Sequence, residues 1–175
     1  MPKSGPSTMV LIGMMGSGKT TVGQALAART GWRYVDNDEL VRTVTGREPK
    51  EIDATDGDGA LHLAEAAALR HALTLPPPLI VGAAAWVVTD PTSVALLRAR
   101  PAVVYLRARP ETLRARIGTG AGRREDATDL AWLETRTGER DETYRDMAAL
   151  TIDTDSLTAD KIARRILEAA VAWAG

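Results

Sequence analysis

A chain of 175 residues with 45% apolar and 26% charged side chains has the make-up of one soluble globular domain, large enough to bury its own core. Its 22 basic and 23 acidic residues leave a net charge of −1, so nothing in the charge balance points to nucleic acid or to an anionic membrane. Cysteine is absent, which excludes disulfides, cysteine-held metals and thiol nucleophiles and suits a cytoplasmic protein.

In chain order, residues 1–8 lack an apolar signal core and read as a flexible tail, leaving 9–175 as a single domain. Met9 to Ile12 is a short apolar run ending in glycines, a first strand. Thr20 to Thr30 is rich in helix formers, places Val22 and Leu26 on one face, and stops at Gly31. Trp32 to Val35 reads as a second strand closed by Asp36-Asn37-Asp38. A polar helical stretch from about Glu39 to Leu75 is broken near Pro49 and Gly57-Asp58-Gly59. The longest apolar run, Leu79 to Val88, is far too short to span a bilayer and follows three prolines, so it reads as a buried third strand, Leu79 to Val81, entering a loop. Ala102 to Leu106 and Leu150 to Ile152 supply strands four and five, and Lys161 to Trp173 the last helix. No apolar stripe stands out, so a monomer is the expectation. Strands alternating with helices predict a five-stranded parallel α/β sheet covered on both faces, with ligands beyond the carboxyl ends of its strands.

Gly13-Met-Met-Gly16-Ser17-Gly18-Lys19-Thr20 is an ungapped Walker A pattern between a strand and a helix, the context the motif requires. Its glycines let successive N–H groups turn inward toward phosphate oxygens, and the helix adds the positive end of its dipole. Lys19 can reach the β and γ phosphates and the Thr20 hydroxyl can ligate Mg²⁺. The expected ATP site is therefore Gly13, Gly16, Ser17, Gly18, Lys19, Thr20 and Thr21. No Asn-Lys-x-Asp guanine signature follows, which argues against an ordinary GTPase.

Gly16-Ser-Gly-Lys-Thr-Thr-Val-Gly23, Tyr34-Val-Asp36-Asn-Asp38-Glu-Leu40, Ala54-Thr-Asp-Gly57 with Glu65, and Glu139-Arg140 through Tyr144-Arg145 and Ile152-Asp-Thr-Asp155 together resemble a shikimate kinase over almost the whole chain. That resemblance implies a P-loop fold of the nucleoside monophosphate kinase type, with an acceptor-binding region at 36–75 and a lid at 116–126. It also implies ATP and Mg²⁺ as cofactors, and γ-phosphate transfer to a hydroxyl of a small-molecule acceptor. Carried over by position, Asp36 joins Thr20 at the metal, and Asp38 meets the acceptor hydroxyl and assists catalysis with Lys19. Arg145 pairs with the acceptor carboxylate, Arg116 lies against adenine, and Arg123 is the lid arginine that reaches the phosphates. Both aspartates are also well placed to cap the helix that follows them.

The departures from the family cluster at the acceptor. A glycine run after strand three is Ala84-Ala85-Trp86 here, an arginine on the helix before Glu65 is His62, and an aromatic is Asp53. The proline after the lid arginine is Arg124, and the one near adenine is missing around Ala159. His62 and Trp86 are thus expected at an altered acceptor site, with Trp86 also able to serve as core filling. A neutral imidazole grips a carboxylate less well than a fixed guanidinium. The leading expectation is a kinase with a changed hydroxylated acceptor. A catalytically impaired ATP-binding regulatory protein and a gluconate kinase-like enzyme are the alternatives.

Overall fold

The structure, a computed structural model, describes residues 7–118 and 129–174. Its strands are β1 (Thr8–Ile12), β2 (Arg33–Val35), β3 (Leu79–Gly82), β4 (Val103–Arg107) and β5 (Leu150–Asp153). They form one sheet in the order β2-β3-β1-β4-β5, with every neighbouring pair parallel. The helices are α1 (Lys19–Thr30), α2 (Asn37–Thr45), α3 (Pro49–Asp56), α4 (Asp58–Ala72), α5 (Pro91–Arg98), α6 (Pro110–Ile117), α7 (Leu130–Met147) and α8 (Ala159–Ala170). Short 3₁₀ turns occupy Ala85–Thr89 and Val171–Ala174. None of the described helices is long and apolar enough to cross a membrane.

Period-two alternation divides the apolar strand residues between two cores. Met9 and Leu11 of β1, Ile80 of β3, and Val104 and Leu106 of β4 pack with Val22 and Leu26 of α1 and Ile162 and Ile166 of α8. Val10, Ile12, Leu79, Val81, Val103 and Tyr105 point the other way, into a core closed by α2, α4, α5 and α7. Each central strand is buried on both sides, which explains its near-continuous apolar sequence. Every strand lies within a residue or two of the expected run.

The N-terminal expectation needs correcting. Thr8 is in β1, opposite Leu79, and the Ser7 carbonyl accepts from Leu79 N–H at 2.9 Å. The sheet therefore claims residues assigned to the tail, because β3 has a backbone donor there that pairing satisfies. The long polar stretch divides as its proline and glycines indicate. Asp36 caps α2, Pro49 opens α3, and Gly57, at φ 84°, separates α3 from α4. β1 lies at the centre of the sheet, and the chain crosses over it between β3 and β4. Its carboxyl end is therefore the switch point at which such sheets bind ligands.

Candidate active site

The loop from β1 to α1 is a cradle of backbone. Gly16 and Gly18 have φ of 82° and 99°, conformations other residues rarely adopt, and a Cβ on Gly13 would lie 2.5 Å from the Leu106 carbonyl oxygen. Helix α1 begins at Lys19 with Gly18 as its N-cap and no side-chain cap, so its first N–H groups remain available to an anion. Lys19 folds back over the loop and donates from Nζ to the carbonyls of Gly13 at 2.7 Å and Met14 at 2.9 Å. The Ser17 hydroxyl is buried beneath the loop without a hydrogen-bond partner. Thr20 and Thr21 are exposed on the first turn of α1. This chemistry fits a triphosphate: converging N–H groups, one ammonium, and a hydroxyl at the helix start.

Asp36, at the end of β2, accepts Glu39 N–H on Oδ1 at 2.8 Å and so caps α2, which leaves its second oxygen for other work. Asp38 is exposed in the first turn of that helix. The described residues hold no cluster of three or more acidic or histidine groups that would cage a metal by themselves. A hydroxyl and one carboxylate facing a triphosphate are what Mg²⁺ ordinarily asks of a protein, because phosphates and waters fill its remaining positions. Thr20 and Asp36 fit that demand.

Arg116 is exposed at the end of α6. It donates to Thr154 from Nη1 to Oγ1 at 2.9 Å and from Nη2 to the carbonyl at 2.7 Å, while Nη1 also approaches the Gly16 and Ser17 carbonyls at 3.5 Å. The guanidinium thus spans the back of the loop and the end of β5. Arg123 and Arg124, with most of the expected lid, lie outside the described residues.

Four elements meet on the acceptor side. Tyr144 and Arg140 of α7 are both buried against Met14. Arg140 Nη1 lies 3.6 Å from the Met14 sulfur, and Tyr144 Oη donates to the Ala85 carbonyl at 2.8 Å. Arg140 Nε has no partner, so a cation 92% shielded from water still has hydrogen-bonding capacity to offer. Glu65 of α4 receives Asn37 Nδ2–H at 3.3 Å. Burial pushes its carboxyl up to about 7. The Asp38 charge adds to the rise, while Asn37, Lys19 and Arg140 oppose it. His62, one turn earlier on α4, stacks on Trp86 with ring centroids 4.2 Å apart and planes 7° from parallel. Trp86 is therefore only half-buried and pairs with the other altered residue, where core filling was the alternative expectation.

Arg145 is placed differently from expectation. It is exposed, and its Nε donates to Asp141 at 2.8 Å, in a network with Tyr105 and Arg107 of β4. Five residues along a helix turn a side chain by about 140°, so Arg140 and Arg145 cannot serve the same face. The arginine of α7 that reaches the phosphate loop is Arg140. Nothing in the sequence around these two arginines separates them, and only the i, i+4 pairing of Arg140 with Tyr144 hinted at a shared face. A hollow of about 200 Å³ among Arg107, Arg109, Gly138 and Asp155 lies on the Arg145 side, where its arginines and aspartates pair with one another.

A family model described as shikimate kinase matches residues 15–171. The chain belongs to the shikimate kinase family. It is similar to the shikimate kinase of Moorella thermoacetica, at 38% identity over 96% of each chain. Among solved structures, shikimate kinase from Acinetobacter baumannii in complex with shikimate superposes with a TM-score of 0.86 at 28% identity, covering 95% of this chain and 94% of that one. A gluconokinase from Sinorhizobium meliloti shares the fold, with a TM-score of 0.65 at 22% identity over 97% and 94% of the two chains. Membership makes the protein a P-loop small-molecule kinase, an ATP-dependent phosphotransferase of shikimate kinase type. It matches the expected fold class in strand number, order of elements and parallel pairing.

Proposed function

We propose that the protein uses ATP and Mg²⁺ to phosphorylate a hydroxyl of a small hydroxylated carboxylic acid, through an acceptor pocket that differs from that of a typical family member. The observation that carries this is Arg140, a buried guanidinium with an unused donor beside the phosphate loop. It is matched across the cleft by Asp38, Asn37 and Glu65. An anionic group on the acceptor satisfies Arg140, and its hydroxyls satisfy the carboxylates. Among the described residues, one arginine, Arg140, serves this end. The neighbouring position is the His62–Trp86 stack, so the pocket favours an acceptor that needs one charged grip and offers a flat face to the rings.

The acceptor oxygen attacks the γ-phosphorus, the bond from that phosphorus to the β–γ bridging oxygen breaks, and ADP leaves with the electron pair. Asp38 accepts the hydroxyl's hydrogen bond and receives its proton as the new O–P bond forms. Lys19 shifts from the loop carbonyls to the phosphates, while the α1 N–H groups hold the non-bridging oxygens in line. Held by Thr20 and Asp36, Mg²⁺ would neutralise charge on the phosphates.

The test is ADP release with Mg²⁺ and shikimate against a no-acceptor control, with Lys19→Ala as background. Shikimate-dependent release makes shikimate an acceptor. ATP binding without that response directs the search to other hydroxy acids, and binding with no turnover on any of them supports the regulatory reading. With an active acceptor, Arg140→Ala should raise its KM by roughly tenfold or more, and Arg145→Ala by less than about twofold.

A further inference from the structure

Among the described residues, four buried side-chain atoms have no hydrogen-bond partner: Ser17 Oγ, Tyr34 Oη, Thr137 Oγ1 and Arg140 Nε. Ser17 belongs to the phosphate loop and Arg140 to the acceptor side. Tyr34 has been given no part so far. An orphaned buried hydroxyl destabilises a fold, and phenylalanine would fill the same ring volume without one.

The surroundings of Tyr34 are built to place that hydroxyl. Gly23, on the inner face of α1, leaves the room its ring occupies, and a Cβ there would overlap ring carbons Cε2 and Cδ2. Gly82, at the end of β3, does the same for the far end of the ring, where a Cβ would meet the hydroxyl oxygen at 2.5 Å. Two elements therefore give up a side chain for one tyrosine. The ring leads from β2 to the first turn of α1, and the hydroxyl arrives beside Thr20, with the charges of Asp36 and Asp38 also acting on it. Thr20 borders the hydroxyl without reaching good hydrogen-bonding geometry.

We infer that Tyr34 is a positioning residue for the metal-bound nucleotide: its oxygen accepts the Thr20 hydroxyl proton, which turns the Thr20 lone pair toward Mg²⁺. A hydroxyl that ligates a cation through oxygen becomes a stronger donor and needs an acceptor on its far side. One oxygen of Asp36 caps α2 and the other is assigned to the metal, whereas Tyr34 Oη is a buried oxygen beside Thr20 with no hydrogen bond of its own. This inference rests on the reading that Thr20 ligates Mg²⁺. A small rotation of the Thr20 side chain on nucleotide binding makes the bond, so the orphaned hydroxyl gains its partner only in the loaded protein.

The full-length protein can be titrated with a fluorescent ATP analogue, once in Mg²⁺ and once in EDTA. Tyr34→Phe should weaken binding about 3- to 10-fold in Mg²⁺, the range for losing one hydrogen bond, and leave binding in EDTA unchanged. Its melting temperature should equal or exceed that of the parent, since the orphan is gone. Thr20→Ala should weaken the Mg²⁺ titration as well, and the double variant should lose little more than Thr20→Ala alone. Parental binding by Tyr34→Phe in Mg²⁺, alongside a clear loss in Thr20→Ala, overturns the role of Tyr34 and leaves the metal reading intact. If Thr20→Ala also binds like the parent in Mg²⁺, the metal reading falls and this inference falls with it.

Discussion

Glu65 carries a charge balance that can be read out without knowing the acceptor. Its carboxyl is held up to about 7 because burial outweighs the help of Asn37, Lys19 and Arg140. Between the ordinary carboxyl value and about 7, the folded protein binds a proton there that the unfolded chain has released. Stability therefore falls as pH rises through that window and levels off above it, by up to about 3 kcal/mol. Glu65→Gln should flatten the slope of unfolding free energy between pH 5 and 7 and raise stability at pH 8, measured by denaturant titration. An unchanged slope in the variant would show that Glu65 ionises freely. The same residue bears on the pocket: near neutral pH it is present in both forms and so can donate to or accept from an acceptor hydroxyl.

At the scale of elements, two junctions combine architecture with chemistry. Helix α1 carries Gly23 in its interior, where alanine ordinarily strengthens a helix by about 0.5–1 kcal/mol. Here the added methyl would drive into the Tyr34 ring, so Gly23→Ala should lower stability, by roughly 1–3 kcal/mol as for other overpacked cores. Thermal unfolding checks the sign, and a stabilised variant would show that β2 can move away from α1. At the junction of β2 and α2, Asp36 caps the helix and, in the function proposed above, also holds the metal. Replacing it in two ways separates these duties. Asp36→Asn keeps a capping oxygen and should unfold like the parent while losing most phosphotransfer, whereas Asp36→Ala should lose about 1 kcal/mol of stability as well. Equal activity of Asp36→Asn and the parent would leave Asp36 with the cap alone.

For the molecule as a whole, ligand binding and folding are linked. A ligand that binds only the native state stabilises it by about 2.7 kcal/mol at a hundred times its dissociation constant, which for a domain of this size raises the melting temperature by roughly 5–10 °C. MgATP should produce that shift in the parent and a much smaller one in Lys19→Ala. An acceptor that closes the cleft over ATP should add a second shift, which makes thermal melting a screen for hydroxy acids that does not depend on turnover. Parent and Lys19→Ala shifting alike would place ATP away from the loop.

The one-dimensional pattern determined the strands, the P-loop and the family. Apolar runs of fixed length between helical segments leave a doubly covered parallel sheet as the way to bury them, and eight consecutive residues specify the phosphate cradle because its backbone curl is local. The curled loop from Gly13 to the helix start at Lys19 was legible for that reason, as was the break at Gly57. The acceptor side was not, because it is assembled from residues far apart in the chain whose facing depends on helix phase. Arg140 and Arg145 look interchangeable in sequence, yet packing of Tyr144 against Met14 and Ala85 turns the first toward the loop and leaves the second to pair with Asp141. His62 and Trp86 were read as separate substitutions, and only the packing of α4 beside the turn after β3 made them a stack. Tyr34 passed as an ordinary strand residue until two distant glycines proved to be the space it fills. Local backbone chemistry is written in neighbouring letters, whereas the orientation of a side chain across a cleft is set by the packing of elements that meet only in the folded molecule.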